Sequence, residues 1–145
     1  MIIAAQPEAL YAAFLDPAAL VEWLPPAEMT GKIHEFDARV GGGYRMSLFY
    51  PAGQHGVRGK TADREDMVRV RFVELAPPDR IVEAVSFVSA DPALLGEMTM
   101  TVTFAAVAGG TEVTLTFENL PPGLRPTDNE AGAHLSLQQL ARRFE

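Results

Sequence analysis

Cysteine is absent from this chain. That excludes disulfides, thiolate metal sites and cysteine nucleophiles, and it fits a reducing compartment. Positive charge is scarce: 12 Lys and Arg stand against 19 Asp and Glu, a formal net charge of −7. Phosphate backbones are repelled by such a balance, so nucleic acid is not an expected partner. No apolar run approaches the ~20 residues that span a bilayer. The opening "MIIAAQPEALYAAF" lacks the basic start and apolar core of a signal peptide. The chain is therefore expected to begin close to its domain and to reside in the cytoplasm. Internal repeats, low-complexity tracts and linkers are also missing. Only three histidines occur, His34, His55 and His134. None shares a short helical spacing with another, so no metal site and no cofactor is expected.

What is present is the composition of a globular protein. Hydrophobic residues make up 48% and charged residues 21% of 145 positions, which suits one domain over residues 1–145. After a short strand at Ile2 and Ile3, "PEALYAAFLDPAALVEWL" reads as two short helices. Pro7 and Pro17 suit first-turn positions, and Asp16 suits the N-cap of the second helix. Leu10, Ala13 and Phe14 form one apolar stripe; Leu20, Trp23 and Leu24 form the next. Pro25-Pro26 stops the run.

Beyond this the period changes to two. "GKIHEFDARV", "YRMSLFY", "DMVRVRFVEL" and "RIVEAVSFV" are strand-like. In "EMTMTVTF", Met98, Met100, Val102 and Phe104 alternate with threonines. In "TEVTLTFE", Val113, Leu115 and Phe117 alternate with Thr and Glu. This is the pattern of an antiparallel sheet wetted on one face, with Gly109-Gly110 as a hairpin turn. The end returns to helix, with Thr127 or Asp128 as cap, Ala133, Leu137, Leu140 and Phe144 at helical spacing, and Arg142 and Arg143 in the last turn.

The three consecutive glycines in "FDARVGGGYRM" pose a choice between a phosphate cradle and a bend. A phosphate loop needs a helix after it, whose free N–H groups hold the anion. Here a strand follows, and no Lys-Ser or Lys-Thr pair stands directly after the glycines. The glycines read as a hairpin bend that uses positive φ.

Helices gathered on one face of an antiparallel sheet make an α+β domain. One long helix does not fill a curved sheet of about six to seven strands, so a cavity between them is expected. Its expected lining is Trp23 and Leu137 from the helices and Phe36, Met46, Phe72, Met98, Met100, Phe104 and Phe117 from the strands.

The stretches "DPAALVEWLPP", "FDARVGGGYRM", "VRFVELAPPDRIVEAVSF", "MTMTVTFAAVAGGTEVTLTFENL" and "AGAHLSLQQLARRF" occur in the order seen in one family. The chain resembles, over nearly its whole length, the family named for the activator of the heat shock protein 90 ATPase. That family belongs to the START-like superfamily. The resemblance implies a helix-grip fold with an internal cavity, and through the family's name a chaperone partner and a role in stress response. It does not fix activity, since the superfamily hosts carriers, cyclases, hydrolases and co-chaperones. Relatives usually carry Gly-Trp in the last helix; here Gly132 is followed by Ala133. Either the cavity is enlarged, or Trp23, Tyr44 or Phe87 has moved into the space. These residues, with Ala133, complete the expected ligand-binding set.

Glu83 shares strand parity with Ile81, Val85 and Phe87. It either points inward, with its pKa raised unless Arg39 or Arg45 neutralises it, or is turned to the surface by a bulge. His134 is either a solvated helix residue or a second candidate acid or base. The acids of "TADRED" read as a solvated loop. Ser47, Ser86, Ser89 and Ser136 lack both a G-x-S-x-G context and an obvious base. The function expected is binding of a small, mostly hydrophobic molecule. The alternatives are a co-chaperone-like interaction module and a cyclase- or hydratase-type enzyme using Glu83 or His134. A monomer and a homodimer both remain open.

Overall fold

Period-two alternation along seven segments yields one antiparallel sheet in the order β1-β7-β6-β5-β4-β3-β2. The computed structural model describes residues 1–26, 28–51 and 65–145; His55 and the first part of "TADRED" lie outside them. The elements are β1 (Ile2–Ile3), α1 (Pro7–Leu15), α2 (Pro17–Trp23), β2 (Thr30–Asp37), β3 (Gly43–Phe49), β4 (Glu65–Ala76), β5 (Arg80–Phe87), a 3-10 turn (Pro92–Leu94), β6 (Met98–Val107), β7 (Gly110–Glu118) and α3 (Pro126–Arg143). This is the expected α+β architecture of a helix-grip domain.

The helices start as the local chemistry dictates. Pro7 and Pro17 occupy first-turn positions, and the Asp16 carboxylate accepts a hydrogen bond from the Ala18 amide at 3.0 Å. For α3 the expected cap is corrected. Arg125 is the N-cap residue, Pro126 opens the helix, and no side chain caps it. Thr127 and Asp128 lie inside the first turn, because proline's fixed φ sets the helix start there.

The glycine triplet is a bend between β2 and β3, closed by Gly41 N–H to Phe72 O and Phe72 N–H to Gly42 O, both 2.9 Å. Only Gly41 has the expected positive φ, +84°. Gly42 and Gly43 are needed for close approach instead. A Cβ on Gly42 would lie 2.5 Å from the Asp37 carbonyl oxygen, and one on Gly43 would overlap the Val70 carbonyl of β4.

The core divides into two ends. At one end α1 and α2 cover the sheet: Phe14 packs edge-on against Trp23 and Phe104, and Tyr11 against Phe104. Near β2 and β3, Phe36 stacks on Tyr44, and both touch Phe72. The second half of α3 is bonded to the end of α2. Gln139 donates to the Trp23 and Pro25 carbonyls at 2.8 and 2.6 Å, and Ser136 donates to the Leu24 carbonyl at 2.6 Å. These bonds occupy carbonyls that a helix C-terminus leaves without partners.

Candidate functional site

Between the first half of α3 and the concave face of the sheet lies a cavity of about 240 Å³. Strands β3 to β7 form its floor. Phe14, Trp23 and Leu24 close one side, and Asp128, Asn129, Gly132 and Ala133 of α3 form the roof. Asp128 is exposed, so the mouth lies at the N-terminal turn of α3. The size falls between the ~150 Å³ cavity that holds benzene and the ~300 Å³ lower bound of drug-sized pockets.

Of the residues assigned to the cavity from sequence, Trp23, Tyr44, Phe87, Met98, Met100, Phe117 and Ala133 line it. Met46, Phe72 and Phe104 do not. They are on the expected face but enclosed in the solid core. Phe36 packs on Tyr44 and borders a shallow groove beside the glycine bend. Leu137 faces a separate, wider groove between α3 and β7, which Ala133 also borders. The lining also takes in Leu48, Asp66, Val68, Val70, Val85 and Leu115 of the strands, and Phe14, Leu24 and Leu124 outside them, none of which the sequence assigns to it. Strand parity carries the signal for the six strand residues.

The acids need correction. Asp66 is buried on β4 and accepts a hydrogen bond from the Tyr50 hydroxyl at 2.9 Å. It belongs to the strand because it shares parity with Val68, Val70 and Phe72. Glu65, also in β4, accepts from Ser47 Oγ at 2.6 Å. Ser47 in turn lies 2.8 Å from His34 Nε2, so this serine does have ionisable neighbours. The order is not that of a hydrolytic triad, however. The serine proton points to the carboxylate, the imidazole is left to donate, and Ser47 is fully buried.

Glu83 points inward. The irregularity that would reverse it falls on β4, between Phe72 and Glu74, so β5 keeps its alternation. Glu83 is 2% exposed and lines the cavity. Neither Arg39 nor Arg45 reaches it: they pair with Asp37 at 2.7 Å and Glu35 at 3.9 Å. Burial pushes its pKa up to about 8. Tyr44, 5% exposed on the same cavity, is pushed up by burial and by the proximity of Glu83. His134 is exposed and faces the wider groove, apart from Glu83. Among the described residues no cluster of three metal-ligating side chains occurs. Nor, among them, is any helix long and apolar enough to cross a membrane.

The model of the Activator of Hsp90 ATPase homolog 1-like protein family matches residues 4–145. A crystal structure of a Chromobacterium violaceum protein is 35% identical, with a TM-score of 0.85, over 98% of this chain and 91% of that one. A protein from Rhodobacter sphaeroides (22% identity, TM-score 0.77, 99% and 88% covered) shares the fold. So does the AHSA1 protein of Silicibacter pomeroyi (19% identity, TM-score 0.77, 99% and 93% covered). No curated protein is similar enough to count as a match.

Proposed function

From the premise that the chain belongs to the Activator of Hsp90 ATPase homolog 1-like family, we propose that it binds a small, mostly apolar molecule beneath α3. The carrying observation is the 240 Å³ cavity walled by Trp23, Phe87, Met98, Met100 and Phe117, with its mouth at Asp128. Aromatic walls contribute large contact areas, and methionines adapt to the shape of a guest. The volume suits a single ring or a short chain rather than a sterol. Affinity then comes from apolar burial, at roughly 25 cal/mol per Å² before the costs of association.

Native mass spectrometry of freshly purified protein tests this, together with thermal-shift titration by single-ring aromatic compounds. A co-purified small molecule, or a saturable rise in melting temperature that Met100→Ala weakens, is the expected result. Absence of both overturns the reading.

An enzyme is the second reading, and Glu83 is the observation that favours it. An enclosed carboxyl with a raised pKa is matched to general acid or base work near neutral pH. Chemical alteration of a bound compound by the parent, and not by Glu83→Gln, would establish it. A co-chaperone-like role has weaker support from the surface. The outer face of β6 and β7 presents Thr103, Thr114, Thr116 and Glu118 to solvent rather than an apolar patch.

A further inference from the structure

Glu83 is costly where it stands. It lies mid-strand on β5, opposite Phe72 on one side and Met100 on the other. Among the described residues its carboxyl has neither a hydrogen-bond partner nor an ion pair. A buried polar group without a partner destabilises a fold, and an apolar side chain of the same size would not. Folding alone therefore gives no account of it. Tyr44 repeats the pattern on β3: the residue is buried, and its hydroxyl too has no hydrogen-bond partner among the described residues. Both side chains line the same cavity.

The rest of the lining constrains what can complement them. Among the described residues, the other titratable groups are Asp66 from β4, which the Tyr50 hydroxyl already engages, and Asp128 from α3 at the mouth. Among the described residues that line it there is no Lys, Arg or His. The facing positions of β6 and of the first two helices are apolar: Met98, Met100, Phe14 and Trp23. An anionic guest, such as a fatty acid, would meet acids, with no compensating cation among the described lining residues.

We propose that Glu83 and Tyr44 form a two-donor polar end to this cavity, and that the guest is a small neutral molecule presenting a carbonyl-type acceptor oxygen to them. The proposal rests on the ligand-binding reading above and adds the chemistry of the guest. Desolvation keeps both groups protonated at neutral pH, so each offers an O–H. A tyrosine beside a carboxylic acid held neutral by apolar surroundings is an effective pair of donors to a carbonyl oxygen. A ligand ammonium would instead require an ionised Glu83, and hence two desolvated charges in one small space.

Three compounds with the same skeleton test it: acetophenone, isopropylbenzene and 1-phenylethylamine, titrated by calorimetry against the parent, Glu83→Met, Glu83→Gln and Tyr44→Phe. Glu83→Met is expected to weaken acetophenone by about tenfold and Tyr44→Phe by about fivefold, as for lost hydrogen bonds, while isopropylbenzene is unaffected or tightened. Glu83→Gln retains an N–H donor, so acetophenone should still bind. It should lose the parent's fall in affinity as pH rises through about 8. Equal acetophenone affinity in the parent, Glu83→Met and Tyr44→Phe overturns the proposal but leaves the cavity reading standing. Tighter binding of 1-phenylethylamine than of acetophenone by the parent at pH 7 also overturns it. Failure of all three compounds to bind removes both readings together. Circular dichroism of each variant confirms that folding is intact, and Tyr44→Phe decides the matter if Glu83→Met is not.

Discussion

Glu83 sits directly opposite Phe72 across the β4–β5 ladder, a carboxyl against a fully enclosed ring. This pairing makes stability depend on pH. In the unfolded chain the carboxyl titrates near 4.5, and in the folded chain at about 8. Between those values the folded state holds one more proton than the unfolded state. The stability contributed by that proton is fully present below pH 4.5 and is lost as pH rises to about 8, at about 1.4 kcal/mol per pH unit. Glu83→Gln should match the parent near pH 4.5 and exceed it increasingly toward pH 8. Urea midpoints at three pH values check this, and parallel pH profiles of the two proteins would contradict it.

The glycine bend predicts a ranking. Gly41→Ala costs about 1 kcal/mol, since only its φ is unfavourable for a side chain. Gly42→Ala costs more, because its Cβ meets the Asp37 carbonyl. Gly43→Ala costs the most, roughly 3 kcal/mol or beyond, since β3 must move away from β4. Denaturant unfolding orders the three variants, and nucleotide addition should stabilise none of them.

Gln139→Ala removes the donor to the carbonyls of Trp23 and Pro25. Leaving buried acceptors unserved costs about 1–3 kcal/mol. Thermal unfolding measures the loss. Gln138→Ala, one position along the same helix, provides the control and should change little.

Ala133→Trp places an indole where the cavity roof is now a methyl group. Titration with an environment-sensitive dye should show at least tenfold weaker binding, with the fold retained. Unaltered dye affinity in a folded variant would mean that the indole has turned into the wider groove, which Ala133 also borders.

Much of this fold can be read from the sequence because its signals are local. Alternation in β6 and β7, the Asp16 cap and the change of period after Pro26 each depend on neighbouring residues. Parity left Glu83 either inward or turned outward by a bulge, and the bulge falls on β4 instead. Parity tells which face a side chain takes, but not which end of the sheet the helices cover. Parity therefore groups Met46, Phe72 and Phe104 with the cavity, although they pack as solid core. Asp66 shows the reverse failure. Its charge suggested a loop, while its place two residues before Val68 fixed it inward on β4. The start of α3 shows the same limit: Thr127 and Asp128 are favoured caps by residue type, but Pro126 precedes them and opens the helix.

The bonds from Ser136 and Gln139 to the end of α2 have a mechanical consequence. They, with the ion pair from Arg143 to Glu22 at 2.6 Å, fasten only the second half of α3. Among the described residues, no side chain from 126 to 135 forms a hydrogen bond to another element. The helix is a cantilever, clamped at one end and resting on apolar contact over the mouth at the other. Deflecting its first half breaks no side-chain hydrogen bond among the described residues, so the same helix that roofs the chamber is held over the mouth by apolar contact alone.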